Sequence, residues 1–316
     1  MMNLALLLAG ILLLTLGGEA LVRGALAAAR RLGVSPLLAG LVIVGFGTSA
    51  PELVVSVDAA LNQQPDIAIG NVVGSNIANI LLILGACALI TPLTTSRAAL
   101  FRDGMTVIGA SLLFLALVGG AALERTDAAI LLLCLLLYLG YAYWTESRTH
   151  SPTAEMHRHE AEELTLLPPT TLATTLTLVI GLITLVAGAR ILLMGATGIA
   201  REYGVSEAVI GLTIVAVGTS LPELAVSLVA ALRRHADVAV GNILGSNIFN
   251  LLGILGLSAL LQPLPVNARI IALDQWVMLG AAVILMLFLY TGLRLSRLEG
   301  ALLLVAYGGY LAFGVL

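Results

Sequence analysis

Two stretches decide how this chain is read: GVSPLLAGLVIVGFGTSAPELVVSVDAALNQQPDIAIGNVVGSNIANILLILG at 33–85 and GVSEAVIGLTIVAVGTSLPELAVSLVAALRRHADVAVGNILGSNIFNLLGILG at 204–256. They align at an offset of 171 residues without a gap, and more than half of the aligned positions are identical. Each copy carries G-T-S-x-P-E, at Gly47, Thr48, Ser49, Pro51 and Glu52 and again at Gly218, Thr219, Ser220, Pro222 and Glu223. Each then carries G-N-x-x-G-S-N-x-x-N, at Gly70, Asn71, Gly74, Ser75, Asn76 and Asn79 and again at Gly241, Asn242, Gly245, Ser246, Asn247 and Asn250. These polar motifs sit inside runs that are otherwise apolar.

The surroundings place the duplication in a membrane. Of 316 residues 59% are hydrophobic and 10% are charged, and the mean hydropathy is +1.07. A soluble domain carries about 25% charged residues and cannot hide so much apolar surface. Continuous rather than alternating apolar runs exclude a membrane β-barrel. Soluble enzymes, nucleic-acid binders and disulfide scaffolds are excluded with them. Cys87 and Cys134 lie in apolar runs and read as packing residues. The net charge of −3 points to no charged partner. The N-terminal apolar run has no charged region before it and reads as a span, not as a cleaved leader.

Spans of about 20 apolar residues cross a bilayer. The sequence predicts an all-α polytopic fold with ten: 4–29, 36–61, 67–90, 104–122, 127–145, 170–199, 207–232, 238–261, 270–291 and 296–315. The division is a first five-helix repeat (1–145), a polar linker (146–169) and a second five-helix repeat (170–316). Every basic residue is Arg, and the arginines set the orientation. Alternate loops gather Arg30, Arg31, Arg97, Arg102, Arg148, Arg158, Arg233, Arg234, Arg294 and Arg297 on one side, against Arg125, Arg201 and Arg269 on the other. The richer side is expected to be cytoplasmic, so both termini lie outside and the linker inside a plasma (inner) membrane. An odd number of spans separates the two copies. They therefore run in opposite directions, as in secondary transporters whose sites lie near the midplane between inverted repeats.

The motifs supply the chemistry. Glu52 lies about 16 residues into its span, roughly 24 Å along a helix, and tilt and kinking bring it nearer the midplane. An acidic residue there costs about 2.5–3.5 kcal/mol, so it faces a polar cavity and a partner. A structural ion pair needs a buried cation, yet the intramembrane arginines, Arg23 and Arg190, stand far from both motifs in sequence. Pro51 and Pro222 lack an N–H and free the carbonyls of Gly47 and Gly218. Thr48, Ser49, Thr219 and Ser220 add hydroxyls beside them. Ser75 and Asn79 share a helix face, as do Ser246 and Asn250, and supply neutral oxygens opposite the glutamates. The glycines of the second motif, Gly70, Gly74, Gly241 and Gly245, read as helix-packing positions. Carboxylate, hydroxyl and carbonyl oxygens together suit a hard cation such as Ca²⁺, which takes 6–8 of them.

These duplicated, inverted motifs resemble the α-repeats of the sodium/calcium exchanger family, in the cation/calcium antiporter superfamily. The resemblance implies a central cluster that holds Ca²⁺ or several Na⁺ in turn, three Na⁺ per Ca²⁺. It implies Glu52 and Glu223 as shared carboxylates, and Thr48, Ser49, Thr219, Ser220, Ser75, Asn79, Ser246 and Asn250 as further ligands. It also implies backbone carbonyls near Gly45 and Ala216. Some members carry an acid where this chain has Asn250. The large regulatory insert of animal relatives is absent, since 146–169 is too short to fold as a calcium sensor.

The leading expectation is therefore a Na⁺/Ca²⁺ antiporter working by alternating access; the alternative is a Ca²⁺/H⁺ antiporter of the same fold. Four hydroxyls on the glutamate helices favour sodium over a site that only titrates. No intramembrane catalytic constellation is visible, so an enzyme is not expected. Neither is a cofactor, a nucleic-acid partner or an obligate protein partner; the partners are the two ions and lipid. Glu19 and Arg23 are expected to pair along one helix. Glu19 aligns with Arg190, which leaves a contact between the repeats open. Asp58 aligns with Val229 and lies toward the outer end of its span, where it is read as bordering an entry funnel. His157 and His159 read as part of a solvated loop.

Overall fold

The computed structural model describes residues 2–97, 100–148, 168, 170–203 and 218–315. The helices are α1 (Met2–Leu32), α2 (Pro36–Thr48), α3 (Ala50–Leu61), α4 (Pro65–Ile90), α5 (Leu100–Gly120), α6 (Arg125–Thr145), α7 (Thr171–Glu202), α8 (Leu221–Leu232), α9 (Ala236–Leu261), α10 (Ile270–Gly292) and α11 (Arg297–Val315). Among the described residues seven are long and apolar enough to cross a membrane, and α2 with α3, bent by 44°, make an eighth. The two remaining expected spans correspond to α8, whose preceding residues 204–217 lie outside the described set, and to α11. The histidines of the linker also lie outside it.

Local sequence explains where the helices begin and break. Ser35 accepts a hydrogen bond from the Leu38 N–H and Pro36 opens the first turn of α2, a strong N-terminal signal. The chain then leaves the helical path at Ser49 (φ −78°, ψ 7°), two residues before Pro51. Ser220 does the same at φ −87°, ψ 9° before Pro222. The Ser49 N–H closes the last turn of α2 on the Gly45 carbonyl at 3.2 Å, and Pro51 has no N–H to offer the Gly47 carbonyl.

The pairing of α1 with α7 shows directly that the repeats are inverted. Gly10, Gly17 and Gly24 lie against Leu192, Leu185 and Leu178, while Gly181, Gly188 and Gly195 lie against Leu21, Leu14 and Leu7. Contacts that climb one helix descend the other, so these equivalent helices are antiparallel. Glycine every seven residues makes a row of notches on each helix, into which the backbone of the partner helix comes close. Such small-residue seams let backbones approach closely where no hydrophobic force acts between helices in lipid. The outer faces of both helices carry exposed apolar side chains such as Leu12 and Ile183 and meet lipid.

The other helices build a core around α4 and α9, which are mostly buried. α9 crosses α2 with backbones touching: a Cβ on Gly241 would meet the Leu37 carbonyl oxygen at 2.5 Å, and one on Gly245 the Leu41 carbonyl oxygen at 2.1 Å. Gly245→Ala is accordingly expected to cost about 1–3 kcal/mol through overpacking against a backbone that cannot rotate away. Gly280, in α10, has nothing within 4 Å of such a Cβ. Thermal unfolding in detergent checks this: Gly245→Ala lowers the midpoint and Gly280→Ala does not, and equal midpoints would overturn the packing argument.

Two short ladders add extended structure to an otherwise helical fold. β1 (Leu93–Thr94) pairs antiparallel with β4 (Arg294–Leu295), and β2 (Ala122–Leu123) with β3 (Leu264–Pro265). Each ladder joins one repeat to the other, so the two-fold relation reaches the ends of the spans.

Candidate ion-binding site

The turns at Ser49 and Ser220 bring the motifs together. Glu52 and Glu223 lie in the first turns of α3 and α8, where the helix dipole favours negative charge, and both are fully buried. Neither Ser49 nor Ser220 uses its hydroxyl to cap its own helix. Ser49 Oγ instead donates to Glu223 Oε1 at 3.0 Å, and Ser220 Oγ donates to Glu52 Oε1 at 3.3 Å. Each carboxylate is thus held by the opposite repeat.

What these hydroxyls leave unmet defines the site. Glu52 Oε2 and Glu223 Oε2 are buried with no hydrogen-bond partner, and so are Asn79 Oδ1 and Asn250 Oδ1. The four atoms form two pairs related by the repeat. A buried carboxylate without a countercharge is costly by several kcal/mol. Ion pairs join Arg23 and Arg233 to Glu19, Arg102 to Asp103 and Arg269 to Asp274. None involves Glu52 or Glu223, which removes the structural ion-pair reading. Two carboxylate and two amide oxygens, all hard donors, are suited to cations.

The remaining expected residues gather around this centre. Ser246 Oγ and Thr48 Oγ1 donate to the Gly45 carbonyl at 3.1 Å and 3.3 Å. Thr48 Oγ1 also lies 3.1 Å from Asn242 Oδ1, while Thr219 Oγ1, half-buried, reaches Asn71 Oδ1 at 3.5 Å. Ser75 is buried. Ala216 lies outside the described residues.

Several contributors have no role assigned from sequence. Asn71 Nδ2 donates to the Glu52 carbonyl at 3.2 Å and to Ser56 Oγ at 2.9 Å; Asn242 Nδ2 donates to the Glu223 carbonyl at 3.2 Å and to Ser227 Oγ at 2.8 Å. These asparagines lock each glutamate turn onto α4 or α9. The available signal was their identity in both copies, with Ser56 and Ser227 one turn beyond the glutamates. Asp103 and Asp274 are a second repeated acidic pair, away from the motifs. Each accepts from a tyrosine, Tyr138 at 2.9 Å or Tyr310 at 3.0 Å, besides its arginine. Glu19 pairs with Arg23 as expected, but its contact across the repeats is with Arg233 at 2.9 Å, not with Arg190. Asp58 is exposed.

This arrangement has known counterparts. The family model described as "Sodium/calcium exchanger protein" matches residues 2–144 and 173–316. A putative antiporter, CaxA, of Alkalimonas amylolytica is 41% identical over 96% of this chain and 95% of its own length. The sodium/calcium exchanger MaX1 of Methanosarcina acetivorans is 33% identical over 98% and 97%. A structure of the sodium-calcium exchanger NCX_Mj soaked with 2.5 mM Na⁺ and 0.1 mM Ca²⁺ superposes with a TM-score of 0.83. That match has 31% identity over 99% of this chain and 98% of the other. Matches over both halves, full-length relatives and the shared fold lead to one assignment: this multi-pass membrane protein is a transporter, not an enzyme, and belongs to the sodium/calcium exchanger family.

Proposed function

We propose that the chain exchanges Na⁺ for Ca²⁺ by alternating access at the centre formed by Glu52, Glu223, Asn79 and Asn250. The observation that carries this reading is the set of four partnerless buried oxygens, two of them anionic. One Ca²⁺ neutralises two carboxylates, and sodium is served by the amide and hydroxyl oxygens around them. Thr48, Ser49, Thr219, Ser220, Ser75 and Ser246, with the carbonyls of Gly45 and Ala216, complete the ligand set as the bound ions change. The inverted repeats support alternating access: a two-fold-related pair of halves reaches two mirror states by exchanging conformations. The arginine distribution supports a cytoplasmic 146–169 linker and outward termini. A relative in Escherichia coli, 36% identical over 89% of this chain, is named inner membrane protein YrbG, in line with an inner-membrane location.

The coupling ion is tested by ⁴⁵Ca²⁺ uptake into proteoliposomes under an imposed Na⁺ gradient, with an H⁺ gradient as comparison. Uptake is expected with the Na⁺ gradient alone and in K⁺-free medium, because the neutral Asn250 stands where some relatives place a carboxylate. Uptake driven by H⁺ and indifferent to Na⁺ would establish the Ca²⁺/H⁺ reading instead. A strict K⁺ requirement would overturn the argument from Asn250.

A further inference from the structure

An asparagine ligand poses a problem that a carboxylate does not. Its oxygen and its NH₂ group have nearly the same shape, and a half-turn of the amide exchanges them. With the oxygen forward, Asn79 and Asn250 serve a cation. With the NH₂ forward, each would present two donors to a positive charge. Something must fix which end faces Glu52 and Glu223.

Two further asparagines, three residues before each ligand, meet this requirement. Asn250 Nδ2 donates to Asn76 Oδ1 at 3.0 Å, and Asn79 Nδ2 donates to Asn247 Oδ1 at 3.0 Å. The orientation of Asn76 and Asn247 is fixed in turn. Asn76 Nδ2 donates to the Asn247 carbonyl at 3.2 Å, and Asn247 Nδ2 donates to the Asn76 carbonyl at 3.3 Å. A backbone carbonyl has no donor end and cannot flip. Turning Asn76 would set its oxygen against that carbonyl and deprive Asn250 Nδ2 of its acceptor. Each chain of orientation therefore runs from a backbone carbonyl through one asparagine to the next and ends on a ligand oxygen. All four side chains are at most 1% exposed, so water does not substitute for these bonds.

We propose that Asn76 and Asn247 are positioning residues that hold the Asn250 and Asn79 amides oxygen-forward, and that this network selects a neutral ligand at both positions. A carboxylate at 250 would face Asn76 Oδ1 without a proton to share, and Asn76 cannot turn to offer its NH₂ while it is bonded to the Asn247 carbonyl. The network thereby limits the centre to the two charges of Glu52 and Glu223. The inference deepens the functional reading above and rests on Ca²⁺ occupying that centre.

The test is a double-mutant cycle read by equilibrium binding of ⁴⁵Ca²⁺ to the purified, detergent-solubilised protein, a measurement independent of the coupling ion. Asn76→Ala frees the Asn250 amide to flip and is expected to weaken binding about tenfold in the native background. In the Asn250→Asp background a flip no longer matters, since both ends are oxygen, and Asn76→Ala also takes an opposing oxygen away from the carboxylate, so the same change is expected to leave binding as tight or tighter, with no weakening. In the Asn79→Asp background, whose orienting partner is Asn247, the full loss remains. The mirror cycle of Asn247→Ala with Asn79→Asp carries the test should one variant fail to fold. Equal weakening in the native and Asn250→Asp backgrounds would show that Asn76 acts only through general packing, and would overturn the proposal. So would unchanged binding in the single variant. A native protein that binds no Ca²⁺ would instead overturn the functional reading, and this one with it.

Discussion

Glu52→Gln and Glu223→Gln are each expected to abolish calcium exchange while leaving a folded protein. The two halves of this expectation follow from the same atoms. In the ion-loaded state each carboxylate is one of two negative charges facing a divalent cation, in a centre from which water is excluded. An amide removes one charge and presents a donor that the cation repels. Removing one partner from a buried charge pair costs about 3–5 kcal/mol, which is hundreds-fold or more in affinity. In the ion-free state the balance reverses. Each glutamate then has a buried oxygen without a partner, at a depth where an acid costs about 2.5–3.5 kcal/mol. A neutral amide is no harder to bury, and the donations from Ser49 and Ser220 find the same acceptor atom. The Tm without Ca²⁺ should therefore hold or rise, while the rise in Tm on adding Ca²⁺ disappears, because a ligand stabilises only the state it binds. Proteoliposome flux and thermal unfolding with and without Ca²⁺ check the two halves. Native flux, or a retained Ca²⁺-dependent rise in Tm, would move the ions elsewhere.

Much of this was legible in the sequence, and the parts that were not share a physical cause. Hydropathy and the 171-residue offset gave the spans, the inversion and the irregular turns beside Pro51 and Pro222, since each rests on local chemistry: apolar length, proline and repetition. An offset states which residues are equivalent, not which ones touch. Equivalent residues meet only near the two-fold axis. Asn76 and Asn247 lie there and bond each other's backbone, whereas Glu19 and Arg190 lie off it, and Glu19 finds Arg233 instead. The glycine rows at Gly10, Gly17 and Gly24 and at Gly181, Gly188 and Gly195 fall outside the quoted blocks. Their heptad spacing acquires meaning only once α1 is known to face α7. Asp103 and Asp274 escaped notice because their tyrosine partners lie 35 and 36 residues away on other helices, a distance no local pattern spans. Within the G-S-N-x-x-N motif two asparagines of one type differ in their oxygens, one left without a partner and one accepting from its neighbour across the repeats. Spacing alone cannot tell which does which.

The same charge count sets the response to membrane potential. If Glu52 and Glu223 stay ionised, one Ca²⁺ brings the centre to neutrality, and so do two Na⁺. Charge balance alone therefore demands no third sodium. The neutral ligands make room for one: Asn79 Oδ1 and Asn250 Oδ1 lack partners, and the hydroxyls of Ser49, Ser220 and Ser246 surround the carboxylates and the Gly45 carbonyl. That is more oxygen than two monovalent ions need, and the family resemblance implies three Na⁺ per Ca²⁺. The sodium-loaded centre then carries one net positive charge and the calcium-loaded centre none, so each cycle moves one charge across the field. An elementary charge crossing 100 mV is worth about 2.3 kcal/mol, which shifts the Ca²⁺ ratio at balance about fiftyfold. Vesicles clamped at a series of potentials with a K⁺ ionophore give the measurement, provided exchange proceeds without K⁺. The balance point should move with potential by that factor and in the direction that draws positive charge with sodium. A balance point that ignores potential would mean electroneutral exchange. Two sodium ions would then fill a centre of two carboxylates, and the orphaned amide oxygens would serve calcium alone.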